Sequence, residues 1–290
     1  MTTISVIIPF FRAEFFGTAI ASVLAQTHPP DEIIVIDDGA PFEDSEQLRC
    51  YAKSISIIHQ SNQGPGAARN AGIAAAKSEW IAFLDDDDAW EPERLRLLYD
   101  FIVAHPECNV LHNAVRLFGT DVIYWKSALT LRDFLTTYPS PAKPSSVMIR
   151  RSVLLQAGLM NPALPLSEDY DCFLRVAITH RFHCVNVPLT QRRKHANSLS
   201  QQFETKYRIR NRLLYLYSHL YESDAERIAF AVHLNSFFLA SALQRHNWRA
   251  SVEIGKLGHA HGVSTIRIVL HAVKLLVSRL WNQWKSPPHR

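Results

Sequence analysis

The sequence is poor in cysteine and lacks long hydrophobic runs. Its 290 residues include four cysteines, none at the short paired spacing that is typical of zinc sites. This favours buried thiols in a reducing cytoplasm over a disulfide framework. No run of about 18 uncharged apolar residues is present, so a membrane-spanning helix is not expected. No secretory signal is expected either, because Met1-Thr2-Thr3 leads directly into a strand pattern.

Charge is distributed unevenly along the chain, although the overall net charge is only +4. Residues 1–200 hold 18 Lys and Arg against 22 Asp and Glu, a net charge of −4. Residues 201–290 hold 13 against 5, a net charge of +8. The basic segment predicts contact with something anionic, such as a membrane surface, a lipid-linked phosphate or nucleic acid.

Four adjacent carboxylates, Asp85 to Asp88, follow the apolar run 80–84. Like charges at the end of a buried strand repel one another, and a bound cation relieves that repulsion. Mg²⁺ and Mn²⁺ prefer oxygen ligands and commonly bridge carboxylates to substrate phosphates. The run therefore indicates a metal-assisted reaction on a phosphorylated donor, with a solvated acidic turn as the alternative.

Short β-branched runs alternate with helical patterns in the first hundred residues. The predicted strands are 4–9, 32–36, 55–59 and 80–84, with helices that include 14–26 and 64–77. This alternation predicts an α/β fold whose ligands bind at the carboxyl ends of the strands. Polar clusters at 9–12, 37–39 and 85–88 follow three strands, so we expect them to converge. From residue 203 the pattern is helical, which predicts one domain over 1–202 and a basic helical extension over 203–290.

Several motifs occur in the order typical of one family. They are Ser5-Val-Ile-Ile-Pro9, Ile36-Asp-Asp-Gly39, the stretch 62–72, the Asp-x-Asp pattern within 83–90, Glu168-Asp-Tyr-Asp171 and Arg193-Lys-His195. Over roughly residues 3–200 they resemble the family 2 inverting glycosyltransferases. The resemblance implies the GT-A fold, a mixed sheet flanked by helices. It also implies transfer of a sugar from a nucleoside diphosphate, with UDP expected, to an acceptor hydroxyl with inversion at the anomeric carbon.

The resemblance also assigns roles to residues on the donor side of the site. A divalent ion, Mg²⁺ or Mn²⁺, is expected on Asp87 and Asp85, although the spacing also allows Asp86 and Asp88. Cations are expected around the phosphates, since arginine forms bidentate contacts with phosphate oxygens. The full set of donor-binding candidates is Pro9, Phe11, Asp38, Arg69, Asp85, Asp86, Arg193 and His195.

On the acceptor side the resemblance assigns the general base to Asp169, with Glu168 positioning its neighbourhood. The acceptor hydroxyl must lose its proton as it attacks, and one carboxylate within hydrogen-bond reach suffices. The alternative is that both acids only favour a helix N-terminus, after Ser167 as its cap. One departure from the family pattern is Ala40, which stands where a serine usually follows Asp-Asp-Gly.

Residues 266–285 have the pattern of an amphipathic helix with tryptophans beside basic residues. They predict that a cytoplasmic protein makes peripheral contact with the inner face of a membrane. Such contact suits a lipid-linked acceptor, and a glycan acceptor is also expected. The alternative is a helix packed on the first domain or on a dimer partner. The family pattern favours polysaccharide or glycoconjugate assembly.

Two other functions are weaker alternatives. A metal-dependent nucleotidyltransferase would leave Asp169 without a role. A nucleic-acid-binding protein is disfavoured, because acidic strand ends repel the phosphates of a duplex. A dinucleotide fingerprint is also disfavoured, since Arg69 replaces its third glycine and the chain has no Gly-Lys-Ser/Thr loop.

Overall fold

The computed structural model describes residues 2–124, 127–137, 140–195 and 203–244, together with positions 254, 268, 269 and 272. The chain forms two compact units. The first comprises 1–134 with 140–198, and the second comprises 135–139 with 199–290. The domain boundary predicted at residue 202 stays a prediction.

The strands lie in the first unit, and the two longest helices lie in the second. The strands are β1 (Ile4–Phe10), β2 (Glu32–Asp38), β3 (Ser56–Gln60), β4 (Trp80–Phe83), β5 (Ala89–Trp90), β6 (Val110–Leu117), β7 (Ile123–Tyr124), β8 (Val147–Arg150) and β9 (His183–Arg192). The helices are α1 (Phe16–Leu24), α2 (Phe42–Gln47), α3 (Pro65–Ala75), α4 (Arg94–Ala104), α5 (Leu131–Thr136), α6 (Arg151–Gln156), α7 (Glu168–Ala177), α8 (Phe203–Leu216) and α9 (Asp224–Gln244). Short 3₁₀ turns cover Leu48–Tyr51, Pro144–Ser146 and Ser218–Leu220.

The strands form one mixed sheet in the order β3-β2-β1-β4-β8-β6-β9-β5, with β7 paired to β6. Strands β1 to β4 are parallel, as their β-branched sequences in alternation with helices predict. Strand β8 runs antiparallel to β4 and to β6, and β9 runs parallel to β6. The sheet curls and is flanked by helices, so the predicted α/β fold class is confirmed.

The parallel half of the sheet holds the main core of the first unit. Strands β1, β2 and β4 bury their side chains on both faces, whereas the edge strand β3 is partly exposed, and helices α1, α3 and α4 cover the sheet. Helix α3 lies unusually close to β1: a Cβ added to Gly72 would come within 2.4 Å of Ile7 Cγ2. Glycine at this position therefore sets the distance between helix and sheet.

In the second unit, α8 and α9 pack through a core that contains Tyr207, Leu234 and Phe238. Isolated positions 268 and 272 are buried in the same core, whereas Val269 is 44% exposed. Positions 268, 269 and 272 belong to the predicted amphipathic helix over 266–285, which stays a prediction. The rest of the predicted helix over 266–285 lies outside the described residues. Among the helices that the structure describes, none is long and apolar enough to cross a membrane.

Candidate active site

The carboxyl ends of β1, β2 and β4 bring the predicted polar clusters together. Phe10 pairs with Asp37 across β1 and β2. The acidic run follows β4, and Asp86 Oδ2 accepts hydrogen bonds from the backbone N–H groups of Phe11 and Arg12 at 3.1 and 3.4 Å. The expected convergence is therefore present, and Asp86 fixes the loop after β1 to the acidic run.

Three carboxylates of the run form a compact cluster. Oxygen atoms of Asp85, Asp87 and Asp88 all lie within 4.8 Å of one another. Burial and neighbouring carboxylates raise the pKa of Asp87, and raise that of Asp88 well above its usual range. Burial also raises the pKa of Asp86 to about 7. The charges of Asp87 and Asp85 raise it as well, whereas the hydrogen bonds from Phe11 and Arg12 lower it. The cluster thus concentrates negative charge that a cation would stabilise.

Asp88 has a set of partners different from those of the other acids. It is buried, its Oδ2 accepts a hydrogen bond from Ser145 Oγ at 2.7 Å, and its Oδ1 accepts one from the backbone N–H of Arg193 at 2.9 Å. These contacts tie the end of the run to the turn before β8 and to the segment after β9.

Arg69 joins the acidic run to the acceptor-side motif. This arginine lies on α3 and is only 4% exposed. Its Nη2 donates to Asp85 at 2.5 Å, and its Nη1 donates to Glu168 at 2.7 Å. Burial would lower the pKa of Arg69, but the charges of Asp85 and Glu168 outweigh it and raise that pKa. One buried cation therefore holds two carboxylates from sequence-distant motifs.

Glu168 and Asp169 open helix α7, and they have different environments. Glu168 is buried; burial and the charge of Asp169 raise its pKa to about 7, although Arg69 acts in the opposite direction. Asp169 has a side chain that is 15% exposed, with Oδ2 at 4.0 Å from Lys143 Nζ and Oδ1 accepting the N–H of Tyr170 at 2.8 Å. Asp169 is thus the more accessible carboxylate, and a cation lies near it.

The expected nucleoside cradle is only partly open to a ligand. Phe10 is buried in the core, while Phe11 is 37% exposed and Pro9 is half-buried. Asp38 accepts hydrogen bonds from the N–H groups of Gln63 and Gly64, both at 2.8 Å, and from Gln60 Nε2 at 2.7 Å. Asp38 therefore holds the loop that leads into α3.

The neighbouring Asp37 organises the turn that contains Ala40. Burial would raise the pKa of Asp37, but the hydroxyl of Ser45, the N–H of Ala40 and the ring of His59 donate to it and lower that pKa. A hydroxyl from helix α2 thus reaches the turn in which this chain has Ala40.

Arg193 and His195 lie beside the acidic run. The guanidinium carbon of Arg193 lies 4.3 Å from the ring centroid of Phe15 and 4.0 Å from that of Phe118. Its Nε donates to the backbone carbonyl of Asp87 at 3.2 Å, and His195 Nε2 lies 3.0 Å from Asp87 Oδ2. The aromatic rings thus hold the arginine against the backbone of the acidic run.

Two residues of this site, Lys143 and Ser145, were missed by the sequence analysis. Both belong to the turn before β8, in a proline-rich stretch that matches no motif. Their partners Asp169 and Asp88 lie 26 and 57 residues away, so no local pattern signals either contact.

Comparison with known proteins identifies the family. Residues 5–156 match the family described as "Glycosyl transferase family 2". The chain belongs to this family. The "Succinoglycan biosynthesis protein ExoW" of Rhizobium meliloti is 39% identical over 107 residues, 34% of this chain and 34% of that protein. An uncharacterized glycosyltransferase of Nostoc sp. is 42% identical over 123 residues, 41% of this chain and 38% of the relative. The chain thus spans little more than a third of these curated relatives.

Solved structures of low sequence identity share the fold of this chain. Staphylococcus aureus TarS 1–349 in complex with UDP-GlcNAc has a TM-score of 0.64 and 17% identity, covering 97% of this chain and 92% of TarS. The mannosyltransferase PcManGT of Pyrobaculum calidifontis, in complex with GDP-Man and Mn²⁺, has a TM-score of 0.62 and 14% identity, covering 97% and 87%. These likenesses establish the GT-A fold.

The GT-A fold typically uses a divalent metal ion, and the acidic cluster of this chain fits one. Its donors are carboxylate oxygens, the ligands that Mg²⁺ and Mn²⁺ prefer. The raised pKa values of Asp87 and Asp88 reflect charge repulsion in a buried place, which a bound cation would relieve. Asp85 and Asp87 would hold the ion, and Asp88 lies within the same cluster.

Proposed function

We propose that this glycosyltransferase moves a sugar from a UDP-sugar to an acceptor hydroxyl with inversion at the anomeric carbon. The observation that carries the proposal is the double contact of Arg69. It connects Asp85, beside the proposed metal site, to Glu168, the neighbour of the proposed base. Donor-side and acceptor-side groups are thus fixed at one edge of the sheet, as a single displacement requires.

In this mechanism Asp169 is the general base. It accepts the proton of the acceptor hydroxyl as the hydroxyl oxygen forms its bond to the anomeric carbon and the bond to the diphosphate oxygen breaks. Its accessible position supports this role, and the nearby ammonium of Lys143 favours the ionised form that a base needs. Glu168, which is bound to Arg69, holds the start of α7 in place.

The donor is held by groups around the ends of β1, β2 and β4. Phe11 offers an exposed ring on which a base can stack, Pro9 lies two residues before it at the end of β1, and Asp38 holds the loop that leads into α3. Arg69 acts on the donor through Asp85, since its guanidinium is buried, and Asp86 keeps the β1 loop in place. Arg193 supplies positive charge beside the diphosphate, and His195 supplies a hydrogen-bonding ring nitrogen there. A Mg²⁺ or Mn²⁺ ion on Asp87 and Asp85 would offset the charge of the departing diphosphate.

The acceptor is proposed to be a glycan or a lipid-linked sugar in polysaccharide assembly. The name of ExoW and that of the "Putative colanic acid biosynthesis glycosyl transferase WcaA" of Escherichia coli, 29% identical over 194 residues, support this class. The net charge of +8 in residues 201–290 supports peripheral contact with an anionic membrane from the cytoplasmic side.

A thermal-shift panel tests the donor and the metal together. UDP, GDP, CDP and dTDP are each added with and without Mn²⁺ to the wild type, to Asp87→Ala and to a control, Asp100→Ala. Asp100 is an exposed carboxylate that pairs with Arg96 on α4. We expect a Mn²⁺-dependent rise in Tm with UDP, lost in Asp87→Ala and kept in the control. A shift with another nucleotide would correct the donor; no shift with any would refute the proposed chemistry.

The role of Asp169 is tested by Asp169→Asn. We expect turnover of UDP-sugar, measured as UDP release, to fall about 10²–10⁴-fold, the usual contribution of a general base. The Tm shift with UDP and Mn²⁺ should remain, because Asp169 does not hold the donor. Release within threefold of the wild type would assign the base elsewhere.

A further inference from the structure

The hydroxyl of Ser145 contacts both ends of the acidic run. Ser145 is fully buried in the turn Pro144–Ser146. Its Oγ donates to Asp88 Oδ2 at 2.7 Å and accepts the backbone N–H of Asp85 at 3.1 Å. The single hydroxyl proton goes to Asp88, because the Asp85 amide is itself a donor. One oxygen atom therefore fixes the spacing between the first and last residues of the run.

The backbone of Ser145 is held from the opposite side by two strands. Its carbonyl accepts the indole N–H of Trp90 at 2.8 Å and the hydroxyl of Thr190 at 3.1 Å. Trp90 and Thr190 are direct partners across β5 and β9. The position of the hydroxyl is thus set by the sheet and not only by the turn.

Arg94 contacts Trp90 directly and Thr190 through Asn113. It is fully buried, its guanidinium lies 4.0 Å from the centroid of the Trp90 ring, and its Nε donates to Asn113 Oδ1 at 2.9 Å. The amide of Asn113 in turn donates to Thr190 Oγ1 at 2.9 Å. In the described part of the chain, the terminal nitrogens of Arg94 have no hydrogen-bond partner. A buried cation without a carboxylate is unfavourable for stability, so its place against Trp90 and Asn113 points to a positioning role.

We infer that Ser145 is a positioning residue for the divalent cation: by linking Asp85 and Asp88 it preorganises the carboxylates that flank Asp87. The inference rests on the proposed function. Groups that orient metal ligands by hydrogen bonding commonly change metal affinity about 10–100-fold when they are removed. Ser145 does this without contacting the cation, through Asp88 and the Asp85 amide.

The test compares Ser145→Ala with Ser146→Ala. Ser146 is a matched control, because it is the next residue, is equally buried, and uses its hydroxyl to bond Lys143 within the turn. The dissociation constant of Mn²⁺ alone is measured from the electron paramagnetic resonance signal of the free ion. We expect it to rise about tenfold or more in Ser145→Ala and to stay within twofold of the wild type in Ser146→Ala.

Thr190→Val extends the test if Ser145→Ala folds poorly. It removes the hydroxyl that supports the Ser145 carbonyl and leaves the acidic run unchanged, and we expect a several-fold weaker Mn²⁺ affinity. If the wild type binds Mn²⁺ and Ser145→Ala binds it equally well, the inference fails while the metal proposal stands. If the wild type binds no Mn²⁺, both fail.

Discussion

Replacing Arg69 by methionine tests whether one buried cation holds the two halves of the site together. The guanidinium is 4% exposed and forms ion pairs with Asp85 and Glu168. Methionine keeps much of the volume but leaves both carboxylates without a counter-charge. Glu168 is 5% exposed, so water cannot replace the lost partner there.

The expected loss is large because one partner of a buried pair is removed. Such changes destabilise by about 3–5 kcal/mol. For a chain of this size this corresponds to a Tm lower by roughly 6 °C or more, at about 2–4 °C per kcal/mol. The matched control Arg151→Met removes an arginine whose Nε donates to the backbone carbonyl of Ile73, and should lose only about 1 kcal/mol.

The loss in Arg69→Met also depends on pH. The pKa of Glu168 is raised to about 7 in the folded state, against 4.5 in the unfolded state. Between pH 4.5 and 7 the folded state therefore binds more protons than the unfolded state, and the free energy of unfolding falls as pH rises through this range. Arg69 lowers the pKa of Glu168, so that pKa is higher in Arg69→Met. The pH range in which the free energy of unfolding falls then extends above pH 7, with a slope of about 1.4 kcal/mol per pH unit. Arg69→Met should therefore be destabilised more at pH 8.5 than at pH 6.

Urea denaturation of the wild type, Arg69→Met, Glu168→Gln and the double variant at both pH values measures these terms. We expect the double variant to be more stable than the sum of the single losses predicts, by about 1–3 kcal/mol. Additive losses, or an Arg69→Met variant as stable as Arg151→Met, would refute the idea that Arg69 joins the two motifs.

Two further predictions concern stability. Gly39→Ala should lower the free energy of unfolding by more than about 2 kcal/mol in urea denaturation. Gly39 has φ +70°, and its new Cβ would lie 2.7 Å from the Asn62 backbone nitrogen. The control Gly119→Ala has the same φ and no atom within 4 Å, so it should lose only the conformational part of about 1–2 kcal/mol. Equal losses would show that the approach of the 61–64 loop is unimportant. Burial lowers the pKa of His112 to about 4, so between pH 6.5 and 4 only the unfolded state takes up the proton, and the wild type should lose up to about 3 kcal/mol as pH falls. His112→Gln should show a flatter pH dependence of Tm across that window, and an unchanged slope would contradict the assignment.

The parallel half of the sheet was predictable from the sequence, and the antiparallel half was largely not. Strands β1, β2 and β4 are short, mainly apolar runs buried on both faces, and the predicted bounds of β1 to β4 differ from the observed ones by at most two residues. Strand β6 buries the polar side chains of His112 and Asn113, which interrupt its apolar pattern. Their partners, Ser127 and Thr190, lie elsewhere in the chain, so the polarity does not reveal the burial.

At the site, sequence reasoning identified residue types and their convergence but not their contacts. The motifs indicated Asp85, Arg69 and Glu168 separately, and the structure shows that they form one charge cluster. Asp38 and Arg193 were expected to face the donor, and each uses side-chain atoms to hold protein backbone. Their assignment to the donor stays a prediction. Such contacts depend on the separation of whole elements, which no local spacing encodes.

The place of β5 at the far edge of the sheet sets a lower limit on the length of the connection that contains the acidic run. Strands β4 and β5 are joined by residues 84–88, yet they lie four positions apart in the strand order. In a flat sheet this distance would be about 19 Å. The connection contains a tight turn, in which the N–H of Asp88 donates to the carbonyl of Asp85, so it reaches no more than about 18 Å. The sheet must therefore curl to bring β4 and β5 within reach of this connection. A deletion within the connection would force the sheet to curl further. The length of the connection is therefore tied to the curvature of the sheet, in addition to the charge that the connection carries.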